Sequence, residues 1–163
     1  MAALLALQTL LAGRASAQDL KLRDVFKQMP DSLMPYLSKN DRLDFIDFLD
    51  SNMKAEVRNQ FGGTSEMTSL TDDSLSIRMS NSLRTDILLL TVDEPVDSCR
   101  QVVAMVETFL VDSIHGESRV RFYSTDWKML SHEPRLDAVQ QKRLQQVQLQ
   151  NILKKDDDYV NEG

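Results

Sequence analysis

The sequence predicts an α+β fold in which N-terminal helices pack on an antiparallel β-meander of about five to six strands. Apolar residues recur at helical spacing as far as Met53, and period-two alternation follows from Lys54. Short turns join the strand-like segments, whereas parallel strands would need helical crossovers between them. Helices first and strands afterwards is the α+β order.

Composition and charge indicate one folded domain. The chain has 163 residues, of which 42% are hydrophobic and 27% charged, which is enough for a single core. The net charge is −6, whereas nucleic acids and anionic lipids attract clustered Lys and Arg. The balance therefore argues against nucleic-acid partners and against docking on anionic membranes.

The N-terminus has the pattern of a signal peptide. Residues 2–13 form an apolar run, and Ala15-Ser16-Ala17 supplies the small residues of a cleavage site. The run is too short to cross a bilayer, and no other segment is apolar enough to be a membrane span. We predict cleavage after Ala17 and a periplasmic or secreted protein; an apolar first helix is the alternative. The predicted organisation is a signal peptide at 1–17, one α+β domain at 18–130 and a polar, Gln-rich helical tail at 131–163.

Two helices are predicted before the first strand. The first should run from Asp19, a suitable N-cap, to Met29, because Pro30 ends it. Ser38 and Asp41 match the S-x-x-[DE] capping box and should begin the second.

The second helix has an apolar and an acidic side. Its apolar residues Leu43, Ile46 and Leu49 are predicted to clamp the helices onto the sheet. Its acidic residues repeat every three positions, which could gather carboxylates around a cation. A solvated helix face is favoured, because no oxygen-ligand loop pattern accompanies them. These acids are Asp44, Asp47 and Asp50.

Turn residues divide the second half into strands. Gly62-Gly63 predicts a hairpin turn, and residues 74–80 alternate apolar with polar side chains. Segment 83–92 becomes apolar on both faces, which predicts the sheet centre, and 101–111 shares this pattern. The helices should cover one sheet face, and the other should be solvated. The remaining boundaries are loops at 93–97 and 112–118 and a last strand at 119–125.

The final helix is predicted at 134–155. It is rich in Gln, and its apolar residues have imperfect helical spacing. We expect it to be loosely docked or solvent-exposed. A coiled coil is the alternative, but no regular apolar heptad is sustained.

Three segments together resemble a known family. They are 29–57 (MPDSLMPYLSKNDRLDFIDFLDSNMKAEV), 70–80 (LTDDSLSIRMS) and 117–130 (ESRVRFYSTDWKML). They are similar to exported Bacteroides-type proteins known only as a domain of unknown function. The resemblance covers about Leu22–Leu130 and implies export, but no activity, cofactor or catalytic residue. The tail after about Pro134 departs from the family pattern.

Motifs for catalysis are weak. Residues 112–116 (DSIHG) hold the residue types of a nucleophilic triad, but neighbours in sequence do not make triad geometry. The carboxylates of Asp72-Asp73 are more typical of a turn, and Cys99 is predicted to be a buried, inert thiol. Two His and one Cys cannot close a zinc site without carboxylates. We predict no catalytic residue, cofactor or metal ion.

The strongest candidate surface lies on the last strand. Phe122 is presumed to face the core, which would place Tyr123 on the opposite face beside Arg119 and Arg121. With Trp127 these residues would form an aromatic–arginine contact surface, of the kind enriched in interface hot spots. An equal alternative is that Trp127 folds over the sheet end and closes the core.

The leading functional prediction is a non-enzymatic envelope binding module with an unknown protein partner. A periplasmic small-ligand carrier is the first alternative, because a curved meander under helices can enclose an apolar pocket. An uncharacterised hydrolase is the second, and it would need titratable groups gathered in a cleft.

Overall fold

The computed structural model describes residues 20–111 and 115–153. Helices and a single sheet of six strands fill these ranges, so the predicted α+β class is confirmed. The elements are α1 (Leu22–Lys27), a 3-10 turn (Asp31–Leu33), α2 (Lys39–Asp50), β1 (Glu56–Arg58), β2 (Thr64–Leu70), β3 (Ser74–Arg78), β4 (Leu83–Val96), β5 (Cys99–Leu110), β6 (Gly116–Ser124) and α3 (Ala138–Leu153).

The sheet is an antiparallel meander. Its strand order is β1-β2-β3-β4-β5-β6, so every strand pairs with its neighbours in sequence. The predicted hairpin at Gly62-Gly63 is confirmed, and Gly62 has a φ of 81° that favours glycine. The two longest strands, β4 and β5, pair with each other, and their side chains reach both faces of the sheet.

The loop predicted at 93–97 is mostly strand. β4 continues to Val96, which pairs with Cys99, and only Asp97 and Ser98 remain as a turn. Their φ angles of 48° and 67° suit a two-residue type I′ hairpin turn. Pro95 favoured a loop, but it lies where the β4–β5 ladder is already interrupted, between Thr91 and Val96, so it breaks no regular pair.

The first face of the sheet is covered by α1, the 3-10 turn and α2. The predicted clamp is confirmed at Ile46, which is buried, whereas Leu43 and Leu49 are half-buried. Phe45 lies deeper than either of them. The fully buried members of this core include Leu22, Phe26, Phe45, Met67, Ile77, Ile87, Val103 and Met105.

A local capping box begins α2, whereas a tertiary contact begins α1. At α2 the predicted capping box is present: Asp41 N donates to Ser38 Oγ (3.2 Å), and Ser38 N donates to the Asp41 carboxylate (2.7 Å). At α1 the N-cap is Lys21, and its side chain makes no capping bond. Instead the N–H of Leu22 donates to the Asp72 carbonyl at 2.7 Å. A contact with the β2–β3 turn therefore begins α1, rather than the predicted cap Asp19, which lies outside the described residues.

The acidic side of α2 is a helix surface, as predicted. Asp44 and Asp47 are exposed. Asp50 accepts two hydrogen bonds from the Arg23 guanidinium at 2.7 and 2.9 Å. This contact lowers the pKa of Asp50, and it joins α2 to α1.

Arg42 ties the N-terminal segments together from inside the protein. Its side chain is fully buried. The guanidinium donates to the carbonyls of Leu37 (3.0 Å) and Met29 (2.5 Å) and to the Asp31 carboxylate (2.8 Å). Its position on α2 satisfies backbone groups of the two preceding segments, which the sequence pattern did not indicate.

The second face carries its own apolar cluster beneath α3. Leu136, Leu144 and Val147 pack against Phe122 and the sheet. The prediction that this face is solvated is therefore wrong over the area beneath α3. The helix packs on the sheet rather than lying loosely beside it. The reason is that the sheet residues Leu88, Leu90, Val92, Val102 and Ala104 are apolar on this side and need a cover.

Polar contacts hold α3 at the same place. Gln140 Nε2 donates to the Thr91 carbonyl, and Arg143 Nη1 lies 2.8 Å from the Asp73 carboxylate. Both contacts join residues far apart in the chain, so they pin the helix to β4 and to the β2–β3 turn.

We expect Ile46→Asp to unfold the domain and Asp47→Ala to leave it almost unchanged. The first variant buries an unpaired carboxylate in the helix–sheet core, which should cost more than about 4 kcal/mol. The second alters an exposed position and should stay within about 0.5 kcal/mol. Thermal melts of both variants test this. Similar melting temperatures for the two would contradict the assigned role of Ile46.

We expect Arg42→Met to destabilise the protein by about 2–5 kcal/mol, because two buried carbonyls lose their donors. Arg42→Lys keeps the charge but not the forked geometry and should fall between wild type and Arg42→Met. Urea unfolding of the three proteins gives the comparison. A neutral Arg42→Met would show that the buried guanidinium is dispensable.

Candidate functional site

Tyr123 and Trp127 belong to the core of the first face. Tyr123 is 1% exposed and Trp127 6%, so the prediction that they stand on an open face is wrong. Phe122 is the residue on the opposite face, where it packs in the cluster under α3. Alternation separates the two faces of a strand but does not say which is covered, and here both are.

Trp127 closes the end of the core, as the alternative prediction stated. Its ring nitrogen Nε1 donates to the Val25 carbonyl on α1 at 2.8 Å. Its ring centroid lies 5.8 Å from that of Tyr123. A φ of 64° at Trp127 turns the chain back over the sheet end after β6, which joins the last strand to the first helix.

Arg119 and Arg121 lie on the first face, beyond the cover of the helices. Arg119 pairs across the sheet with Glu107, whose carboxylate accepts hydrogen bonds from Arg119 Nη2 (2.7 Å) and Arg121 Nη2 (2.7 Å). The Arg119 guanidinium also lies 5.6 Å from the centroid of the Phe109 ring. We call Glu107, Phe109, Glu117, Arg119 and Arg121 the arginine margin.

The arginine margin is accessible, and at its centre two arginines share the one carboxylate of Glu107. Arg119 is 57% exposed and Arg121 28%, while Glu107 is only 12% exposed. Phe109 is 41% exposed. One sheltered carboxylate thus orients two guanidinium groups beside an exposed aromatic ring, which is the composition expected of a contact surface.

The margin borders the free edge of the sheet. β6 is an edge strand, and its last residues are covered, because Leu130 N donates to the Phe122 carbonyl and Ser124 N to the Lys128 carbonyl. From Gly116 to Arg121, no strand in the described ranges pairs with its outer side. An uncovered edge offers backbone hydrogen bonds to a partner.

Asp72 and Asp73 each form an ion pair with a different basic residue. Lys21 binds the first at 3.2 Å and Arg143 binds the second at 2.8 Å. The hydrogen bond from Arg143 lowers the pKa of Asp73. The two carboxylates therefore have separate structural partners on α3 and at the chain's first described residues.

Other predicted features have mixed outcomes. His115 is exposed, but residues 112–114 of the DSIHG segment lie outside the described ranges. Cys99 begins β5 and is half-buried rather than fully buried. Among the described residues, no group of three or more His, Cys, Asp or Glu is placed to hold a metal ion. In the same part of the chain, no helix is long and apolar enough to cross a membrane.

A surface cleft of about 440 Å³ lies between the β2–β3 turn and α3. The cleft is open to solvent, and charged or polar residues such as Lys21, Asp73, Gln140 and Arg143 line it beside Leu20, Leu89 and Leu90. The carrier alternative expects an enclosed apolar cavity instead. This cleft therefore does not support that alternative.

Within residues 20–111 and 115–153, the fold and the margin define a class: an α+β domain whose meander carries helices on both faces and leaves part of the β6 edge unpaired. The chain belongs to the family described as "Protein of unknown function (DUF3256)", which matches residues 14–161. This match includes α3, so the tail does not depart from the family as the resemblance implied.

A solved structure shares the fold. It is described as the "Structure of a domain of an uncharacterized protein from Porphyromonas gingivalis W83", with a TM-score of 0.56 and 23% sequence identity. The likeness covers 69% of this chain and 54% of that chain, so it spans about half of the longer protein. Comparison with curated proteins finds no match.

We expect Tyr123→Phe and Trp127→Phe to affect stability differently. The Tyr123 hydroxyl is buried without a hydrogen-bond partner, so its removal should be neutral or stabilise by up to about 1 kcal/mol. Trp127→Phe loses the bond to Val25 and part of the ring, which should cost about 2–4 kcal/mol. Urea unfolding measures both. A strongly destabilised Tyr123→Phe would reveal a partner for the hydroxyl.

Burial raises the pKa of the Tyr123 hydroxyl. The unfolded chain then loses this proton at a lower pH than the folded protein does, so stability should decline as the pH rises past about 10. Tyr123→Phe should show a smaller decline. Unfolding curves between neutral and strongly alkaline pH test this, and parallel losses in both proteins would exclude Tyr123 as the cause.

Proposed function

We propose that this protein is an exported, non-enzymatic binding module that acts by contact with a protein partner. The arginine margin is the observation that carries the proposal. Its exposed ring and guanidinium lie next to an open strand edge, so apolar contact, ionic contact and backbone hydrogen bonds are available within one small area.

The chemistry of the margin indicates the kind of partner. Arg119 and Arg121 share the single carboxylate of Glu107, which leaves donors free for a second carboxylate. Phe109 offers an apolar edge beside them. An extended segment that carries an acidic residue and an apolar neighbour would fit this combination.

Export is the second part of the proposal, and the sequence supports it. Residues 1–17 have the signal-peptide pattern. α1 begins at Leu22, so cleavage after Ala17 would remove none of the described residues.

Binding through the margin is tested by retention from bacterial envelope extract. The test protein is Phe109→Thr/Arg119→Ala, which should lose the specific partner while keeping the strand. The matched control, Met53→Ser/Arg58→Ala, removes an exposed apolar residue and an exposed arginine far from the margin. Quantitative mass spectrometry should find proteins retained by wild type and control but reduced at least tenfold with the test protein. Equal retention by all three would overturn the proposal.

Export is tested by expressing the full chain in a Gram-negative bacterium. The intact mass of the protein in the periplasmic extract should equal that of a chain that begins at Gln18. Ala15→Glu places a large charged residue in the cleavage site and should leave residues 1–17 attached. A wild-type protein that keeps its first 17 residues would contradict export by this route.

A further inference from the structure

The open part of the β6 edge is longer than the other sheet edge, regular in its pairing and charged. Segment 116–121 reads GESRVR and contains no proline. Its pairing with β5 runs without a register shift. The other edge strand, β1, has only three residues. Natural edges are commonly protected by proline, bulges, short length or charged side chains, and this segment has only the charges, at Glu117, Arg119 and Arg121.

The direction of the backbone groups on this edge follows from the pairing at its far end. Phe122 and Ser124 direct their backbone groups outward, to Leu130 and Lys128. Backbone direction alternates along a strand. Ser118 and Val120 therefore also present N–H and C=O groups to the outside.

The side chains of the same segment are complementary to themselves. If two copies pair antiparallel about Ser118, each Glu117 lies directly opposite Arg119 of the second copy. Both residues are exposed and lie on the same face of the sheet. Opposite charges in directly facing positions stabilise antiparallel pairs. Along this face Glu107, Arg119 and Glu117 of the second copy would then alternate in sign.

Neighbouring registers each introduce a pair of like charge. A shift that centres the pair on Arg119 places the two arginines opposite each other, although Glu117 then faces Arg121 of the second copy, and centring on Glu117 opposes the two glutamates. Like charges in these positions are destabilising. The register about Ser118 also places the contact within the uncovered segment, away from the edge that residues 128–130 occupy.

We propose that the open β6 edge binds a second copy of this chain, antiparallel about Ser118, to form one continuous sheet across two protomers. This inference rests on the proposed function, because it names the partner of the same margin. This register pairs residues 116–120 of each copy, a short contact that buries little area, so the dimer should dissociate readily on dilution.

The test is sedimentation velocity over a wide range of protein concentration. Wild type should pass from monomer to dimer. Glu117→Arg alone and Arg119→Glu alone should each dimerise at least tenfold more weakly, because each creates two pairs of like charge. An equimolar mixture of these two variants should dimerise again, since every facing pair in the mixed dimer is then of opposite charge.

A backbone variant gives an independent measurement. Val120→Pro removes an outward N–H and leaves the ladder to β5 intact, so it should fold and remain monomeric. Circular dichroism confirms folding. A wild type that stays monomeric up to its solubility limit, or a variant mixture that stays monomeric, would overturn the inference. The proposed function is tested separately by the retention experiment. Equal retention of proteins by wild type and by Phe109→Thr/Arg119→Ala would overturn it.

Discussion

The need to cover both faces of β4 and β5 shapes the whole molecule. Ile87 and Leu89 project to one side of β4, and Leu88 and Leu90 to the other, and all four are buried. Apolar area on this scale is stable only when it is removed from water on both sides. The N-terminal helices cover the first face and α3 covers part of the second. The meander is thus the middle layer of the protein, although its connections are all local hairpins.

Buried polar groups determine how the covering segments sit. Arg42 binds carbonyls of the two segments before α2, and Trp127 binds α1 from the far end of the sheet. An unpaired buried donor or acceptor is costly, so each contact holds its segment in one position. These hydrogen bonds orient the covering segments. The apolar contacts have no preferred direction, but they supply most of the free energy of folding.

The uncovered remainder of the sheet is where function is expected. The helices stop short of the outer part of β6, and there the first face changes from apolar residues to the alternating charges of Glu107, Arg119 and Glu117. Glu117 and Arg119 are exposed, and ion pairs of exposed side chains contribute little to stability. Their arrangement beside an unpaired strand edge is the observation on which we propose contact with a partner. The solved structure shares the fold, and neither it nor the family description assigns this contact.

Features that depend on neighbouring residues could be predicted from the sequence. The capping box at Ser38, the turn at Gly62-Gly63 and the alternation in β3 each depend on residues a few positions apart, so spacing alone revealed them. The order of helices and strands followed from the same short-range patterns and was enough for the α+β meander.

Tertiary contacts decided the rest, because they join residues that no local pattern relates. Only the docking of α3 shows that Phe122 has a core of its own and that Tyr123 belongs to the other. Arg143 meets Asp73 across 70 positions in the chain, and Trp127 reaches Val25 across 102. The sequence by itself determined which segments become helices and strands. Which faces were buried, and which edge stayed open, depended on how those segments came together.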